Sequence, residues 1–97
     1  MEYIKVKWIH SLADEPVLLY SELDPERWEK RKVEVFADGH CGYASPTESV
    51  GSTRLGLDPV PSLAEIASDP QFDPVEMTQR EFEEVWARAP EDFTRRL

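Results

Sequence analysis

The only imidazole and thiol groups in this 97-residue chain are His10, His40 and Cys41, and two of the three are adjacent. A zinc site takes four ligands at spacings such as Cys-x-x-Cys, and neighbouring strand residues point to opposite faces, so His40 and Cys41 do not share an ion. Cys41 with His10 supplies the residue types of a nucleophile and its base, but no spacing ties them together. Carboxylates are so numerous, 20 against 11 Lys and Arg, that no two stand out as acid and base. Glu22 and Glu34 fall on strands, where cross-strand pairing with Lys5, Lys7, Lys30 or Arg31 is the expected role. The sequence therefore predicts no catalytic residue, no metal ligand and no cofactor site. The expectation is a protein that binds, not an enzyme.

Three surfaces offer binding chemistry. Arg54, alone among small polar residues in Ser52-Thr53-Arg54-Leu55-Gly56, is a candidate anion contact, although a phosphate cradle needs more glycines between a strand and a helix. If Ile4, Val6, Trp8, Val33 and Val35 face covering helices, then Tyr3, Lys5, Lys7, Trp28, Lys30, Lys32 and Phe36 share the opposite surface. Aromatics on a basic sheet stack single-stranded nucleic acid in some modules. Glu26, Glu29 and Glu34 sit near that stripe, and the formal net charge is −9, so nucleic acid is disfavoured there and a protein or a second copy of the chain fits as well. The third surface is the outer side of the last helical segment, where Glu76, Glu83 and Glu84 could meet a basic partner. Charge is unevenly spread: residues 58 to 97 carry ten acids and four bases, residues 1 to 37 eight acids and six bases.

The elements that would position these residues read as strands first, then helices. Tyr3 to His10 alternates in period two. Val17 to Leu23 is a second strand, more continuously apolar and so interior to the sheet. Asp24-Pro25-Glu26-Arg27 has turn chemistry, Trp28 to Phe36 forms a third strand, and Asp38-Gly39 suits a type I′ hairpin leading into His40 to Ala44. Residues 45 to 61 form a long connection, with Ser52 to Leu57 as a short edge strand. Ser62 with Glu65 and Thr78 with Glu81 are capping boxes, opening helices at 63 to 68 and 79 to 89. Phe82, Val85, Trp86 and Ala89 line one face of the second helix, which makes Trp86→Ala one of the most damaging substitutions. Pro90 ends that helix and leaves a frayed tail in which Phe93 and Leu97 could dock. The order implies an α+β domain, an antiparallel sheet of four to five strands with both C-terminal helices on one face.

Together with these elements, the run Tyr3 to His10, the segment Leu19 to Asp24, the block Arg31 to Phe36 with Asp38-Gly39, and the short segments Thr53 to Gly56, Pro61 to Leu63, Asp69 to Phe72 and Glu81 to Glu83 resemble a family of small stand-alone bacterial domains of unknown function. The resemblance spans nearly the whole chain. It implies a bacterial origin and an independently folding unit, and it brings no catalytic residues with it.

One cysteine makes no internal disulfide, and the N-terminus lacks the basic and apolar regions of a secretory signal, so the expected location is cytoplasmic. No apolar run approaches the ~18 residues of a membrane span. An acidic chain of this size without recognisable chemistry points to a partner with a basic surface, the domain acting as an inhibitor or immunity-type protein. A ligand- or nucleic-acid-binding module using the basic aromatic sheet face is the alternative.

Overall fold

Period-two patterning carries further than the sequence suggests, into six strands. The computed structural model describes residues 1–94: β1 (Glu2–Trp8), β2 (Leu18–Leu23), β3 (Glu29–Val35), β4 (Cys41–Ser45), β5 (Glu48–Val50), α1 (Leu63–Ala67), β6 (Phe72–Glu76) and α2 (Gln79–Thr94). All pairs are antiparallel, in the order β5-β4-β3-β2-β1-β6. The first four strands and both helix starts fall where the sequence places them. The short strand of the long connection is Glu48–Val50, not Ser52 to Leu57, because it pairs back on β4 directly after the Pro46-Thr47 turn.

β6 is the strand the sequence hides. Pro74 argues against a strand, but β6 is an edge, and its ladder with β1 alternates so that the proline is tolerated. Met77 N–H donates to Tyr3 C=O, and Ile9 N–H donates to Gln71 C=O. Counting by twos between these bonds leaves Pro74, opposite Val6, at a position whose nitrogen points away from β1. The β3–β4 turn also differs from expectation. Gly39 N–H bonds Phe36 C=O, and Gly39 has φ +92° while Asp38 does not have positive φ. A type I′ turn requires positive φ at both central residues; this is the three-residue form with glycine in the left-handed position.

Both helices do not lie on one face. The register sets Ile4 opposite Ser21 and Ser21 opposite Lys32, whereas Lys5 meets Tyr20 and Tyr20 meets Val33. Val33 and Val35 therefore share a face with Tyr3, Lys5 and Lys7, not with Ile4 and Val6. Each face of the sheet has its own apolar stripe, and one helix cannot cover both. On one side Ile4, Val6 and Leu23 pack with Leu19, Val60, Leu63, Ile66 and Phe72, beneath α1 and the segment before it. On the other, Val33 and Cys41 pack with Tyr20, Val35 and Tyr43 against Val85, Trp86 and Ala89 of α2.

Both capping boxes form, differently. Thr78 Oγ1 accepts from Glu81 N–H, and Glu81 Oε1 accepts from Thr78 N–H. In α1 the Ser62 hydroxyl accepts from Glu65 N–H and donates to the Glu65 carboxylate. Pro90 does not end α2. The helix continues to Thr94; the proline removes one N–H, leaving the Trp86 carbonyl without its usual donor. The docking suggested for Phe93 and Leu97 lies outside the described side chains.

Candidate functional site

A groove runs between the sheet and α1. Its walls are Ile4, Val6, Leu19, Val60, Pro61, Ile66 and Phe72, with Ser21, Glu29, Glu65 and Asp69 as polar members, and it encloses about 370 Å3. Glu29 enters it through a β-bulge. Arg31 pairs with Glu22, but Leu23 pairs with Glu29, so Lys30 is an extra residue between them. The insertion turns Glu29 from the α2 side to the α1 side. There Glu29 is nearly buried, and its carboxylate accepts from the Ser21 hydroxyl at 3.0 Å and from Gly56 N–H at 2.6 Å, with Lys32 Nζ 3.6 Å away. Lys32 also reaches Glu34, which accepts from the fully buried Thr53 hydroxyl at 2.7 Å. This polar row lies under the 51–56 loop. A Cβ at Gly42 would overlap the Thr53 hydroxyl, so the loop packs this closely only over glycine.

The opposite wall is held by Arg27. It is the one non-glycine residue with positive φ among those described, at +69°, a conformation costing roughly 1–2 kcal/mol for a residue with a side chain. Its guanidinium donates to the carbonyls of Val60 and Pro61 at 2.8 and 2.7 Å and pairs with Glu2, and its own carbonyl accepts from Val60 N–H. The strained turn thus clamps the segment that leads into α1. Arg27→Ala is expected to lower stability by about 1–2 kcal/mol, the worth of its partly exposed hydrogen bonds. Arg27→Gly should lose about 1 kcal/mol less, because glycine is at ease at this φ. Urea midpoints of the two variants test that order, and an alanine variant at least as stable as the glycine variant would remove strain from the account.

Residues 58 to 77 contain Asp58, Glu65, Asp69, Asp73 and Glu76 and no Lys, Arg or His. None of the five enters an ion pair within 4.0 Å among the described residues. Asp73 stands across from Lys7, on the α2 side, and Glu76 stands across from Ile4, on the groove side. Glu65 and Asp69 therefore form the uncompensated acidic margin of the groove, and Glu76 lies beyond its lining on the same face of the sheet.

On the α2 face Glu22 and Glu83 share one arginine. Arg31 Nε and Nη2 donate to the two oxygens of Glu22 at 2.8 and 2.7 Å, and Nη1 and Nη2 donate to Glu83 at 2.9 and 2.7 Å. The guanidinium carbon lies 5.0 Å from the Phe82 ring centre and 5.2 Å from that of Trp86. Hydrogen bonds from Arg31 hold the carboxyls of Glu22 and Glu83 below the usual glutamate range, against an opposing effect of burial. The same two carboxylates push the Arg31 pKa further up.

The seven residues of the basic aromatic stripe do not share a surface. Tyr3 is buried with its ring 5.4 Å from Phe82, and Phe36 is buried and stacked on His40. Lys32 lies on the α1 side within its polar row, Lys30 pairs with Asp24 across the bulge, and Trp28 sits in the preceding loop, its N–H bonded to Asp24. Lys5 and Lys7 remain on the α2 side. Of the acidic trio, Glu83 is tied to Arg31, Glu84 is exposed on α2, and Glu76 belongs to β6 rather than the helix. Arg54 spends N–H groups on the carbonyls of Gly51 and Thr53.

The histidines and cysteine are far apart in role. His10 Nδ1 accepts from Leu12 N–H while Nε2 faces the Pro16 carbonyl at 2.7 Å, a pair of bonds that suits the neutral ring protonated at Nε2. Cys41 is buried in the α2-side core. Among the described residues, no three His, Cys, Asp or Glu side chains converge as metal ligands, and no helix is long and apolar enough to cross a membrane.

These features define an α+β domain whose sheet is covered on both faces and which carries an apolar groove with an acidic margin. The chain belongs to a family described as Domain of unknown function (DUF6881), whose model matches residues 2–91. No curated protein and no solved structure matches it.

Proposed function

We propose that this domain binds a protein with a basic surface, as a cytosolic inhibitor or immunity-type partner, and that it acts by covering that surface rather than by catalysis. The observation that carries the reading is the coincidence of two carboxylates outside any ion pair, Glu65 and Asp69, with the margin of an apolar groove, with Glu76 further along β6 on the same face of the sheet. The acids built into the sheet and its α2 contact are matched: Glu22 and Glu83 by Arg31, Glu29 and Glu34 by Lys32, Glu2 by Arg27. Uncompensated charge steers a complementary surface and speeds encounter, and an adjacent apolar recess supplies area that holds the complex. The lone buried cysteine suits a reducing compartment.

The test uses the whole domain as bait in its source cells and compares two variants. Glu65→Gln/Asp69→Asn/Glu76→Gln is expected to slow association with the captured partner about tenfold at low salt and to flatten its salt dependence. Glu83→Gln/Glu84→Gln should stay within about twofold of wild type. The reverse pattern would put the contact on α2 and overturn the choice of face. Unchanged kinetics in both would overturn the electrostatic reading.

A further inference from the structure

We propose that the groove under α1 seats an aliphatic-stemmed cationic side chain, lysine or arginine, presented by the partner protein; the choice of donor rests on the interaction reading above, while the chemistry of the groove stands on its own. The recess, about 370 Å3, is of small-ligand size. Its body is apolar, formed by Ile4, Val6, Leu19, Val60, Ile66 and Phe72. Every polar group it offers a ligand is an acceptor. The Ser21 hydroxyl proton is committed to Glu29, and what remains are carboxylate oxygens of Glu29, Glu65 and Asp69, with no Lys, Arg or His in the lining.

That composition selects the occupant. An anion would meet only negative charge. A purely apolar group would strip water from Glu65 and Asp69 and return no hydrogen bond. A long-stemmed cation satisfies both parts, because its methylenes fill the recess while its charged head stays at the exposed margin and donates to the carboxylates. Glu29 already has Lys32, Gly56 and Ser21 as partners, so the head is drawn to the outer pair, Glu65 and Asp69. Both are set by local backbone: Glu65 by its capping box with Ser62, and Asp69 by accepting Gln71 N–H at 2.9 Å. The recess is formed in advance by the Arg27 clamp, so little ordering opposes entry.

The experiment titrates n-hexylammonium chloride into the isotopically labelled whole domain at constant ionic strength and follows backbone amide shifts, with 1-hexanol, hexanoate and n-hexylguanidinium as parallel probes. Hexylammonium should give saturable shifts at Ser21, Ile66, Asp69 and Phe72. Hexanol should bind about fivefold more weakly, the effect of two exposed ionic contacts, and hexanoate should not bind there. Tighter binding of hexylguanidinium than of hexylammonium would assign the side chain as arginine, and the opposite order as lysine. Asp69→Asn with Glu65→Gln, both able to keep their local hydrogen bonds, should bring hexylammonium down to the level of hexanol. No saturable shift around the groove, or equal binding of hexanol and hexylammonium to the wild type, would overturn the proposal. Because the probes need no partner, their failure with salt-sensitive capture intact rejects the groove alone. Their success without any salt-sensitive partner rejects the acidic-face reading instead.

Discussion

Arg31→Met is expected to destabilise the domain by about 3–5 kcal/mol near neutral pH, the scale for removing one partner of a buried ionic cluster. Glu22 would be stranded, since its side chain is only 9% exposed and the guanidinium supplies both of its ionic hydrogen bonds. The pH dependence should also change sign. In the wild type, Glu22 and Glu83 have folded pKa values held below the unfolded ones by Arg31. Their contribution is fully present above the unfolded glutamate value, about 4.3, and is lost as pH falls through the lower folded values. Without Arg31, burial and the nearby Glu83 charge push the Glu22 pKa up against a single hydrogen bond from Tyr3, so protonation relieves the stranded charge. Urea midpoints should then rise for the variant as pH falls from about 7 to 5, while the wild type stays level across that window. Parallel curves for the two proteins would show that Glu22 does not depend on Arg31.

Phe82→Ala should be as costly, about 3–5 kcal/mol, against a total of ~5–15 kcal/mol for a domain of this kind. Phe82 is fully buried, its ring lies 5.4 Å from Tyr3 and 6.5 Å from Trp86, and it forms one side of the Arg31 cluster. Truncation opens a cavity between α2 and the start of β1. Trp86, which the sequence singles out, is half-buried and meets Tyr43 edge-on at 5.6 Å, so Trp86→Ala should cost less than Phe82→Ala. Denaturant midpoints of the two variants, measured side by side, decide it; a lower midpoint for Trp86→Ala would contradict the packing described.

The hydrophobic alternation of β1 to β4 and the two capping boxes are local signals, and they were legible because nothing distant overrides them. The Glu22–Arg31 pairing was legible as one of several cross-strand options. What the sequence hides depends on register. Period two states that Val33 and Val35 share a face, not that this face is the one opposite Ile4 and Val6, and so it cannot assign each helix to a side. The bulge at Lys30 shifts Glu29 across the sheet, a change visible only once β2 and β3 are paired. Pro74 conceals β6 because its tolerance depends on the strand being an edge. The acidic excess of the C-terminal part was plain from composition. Which acids lack a partner was not, because Glu83 and Glu76 look alike in sequence and differ only in whether an arginine stands beside them.

The most direct measurement is amide hydrogen exchange of the whole domain, free and bound to its captured partner. Slowed exchange in residues 60 to 76, covering α1 and β6, with exchange across residues 79 to 92 unchanged, is the result the acidic groove predicts. Slowing confined to α2, with residues 60 to 76 exchanging as in the free domain, would contradict it.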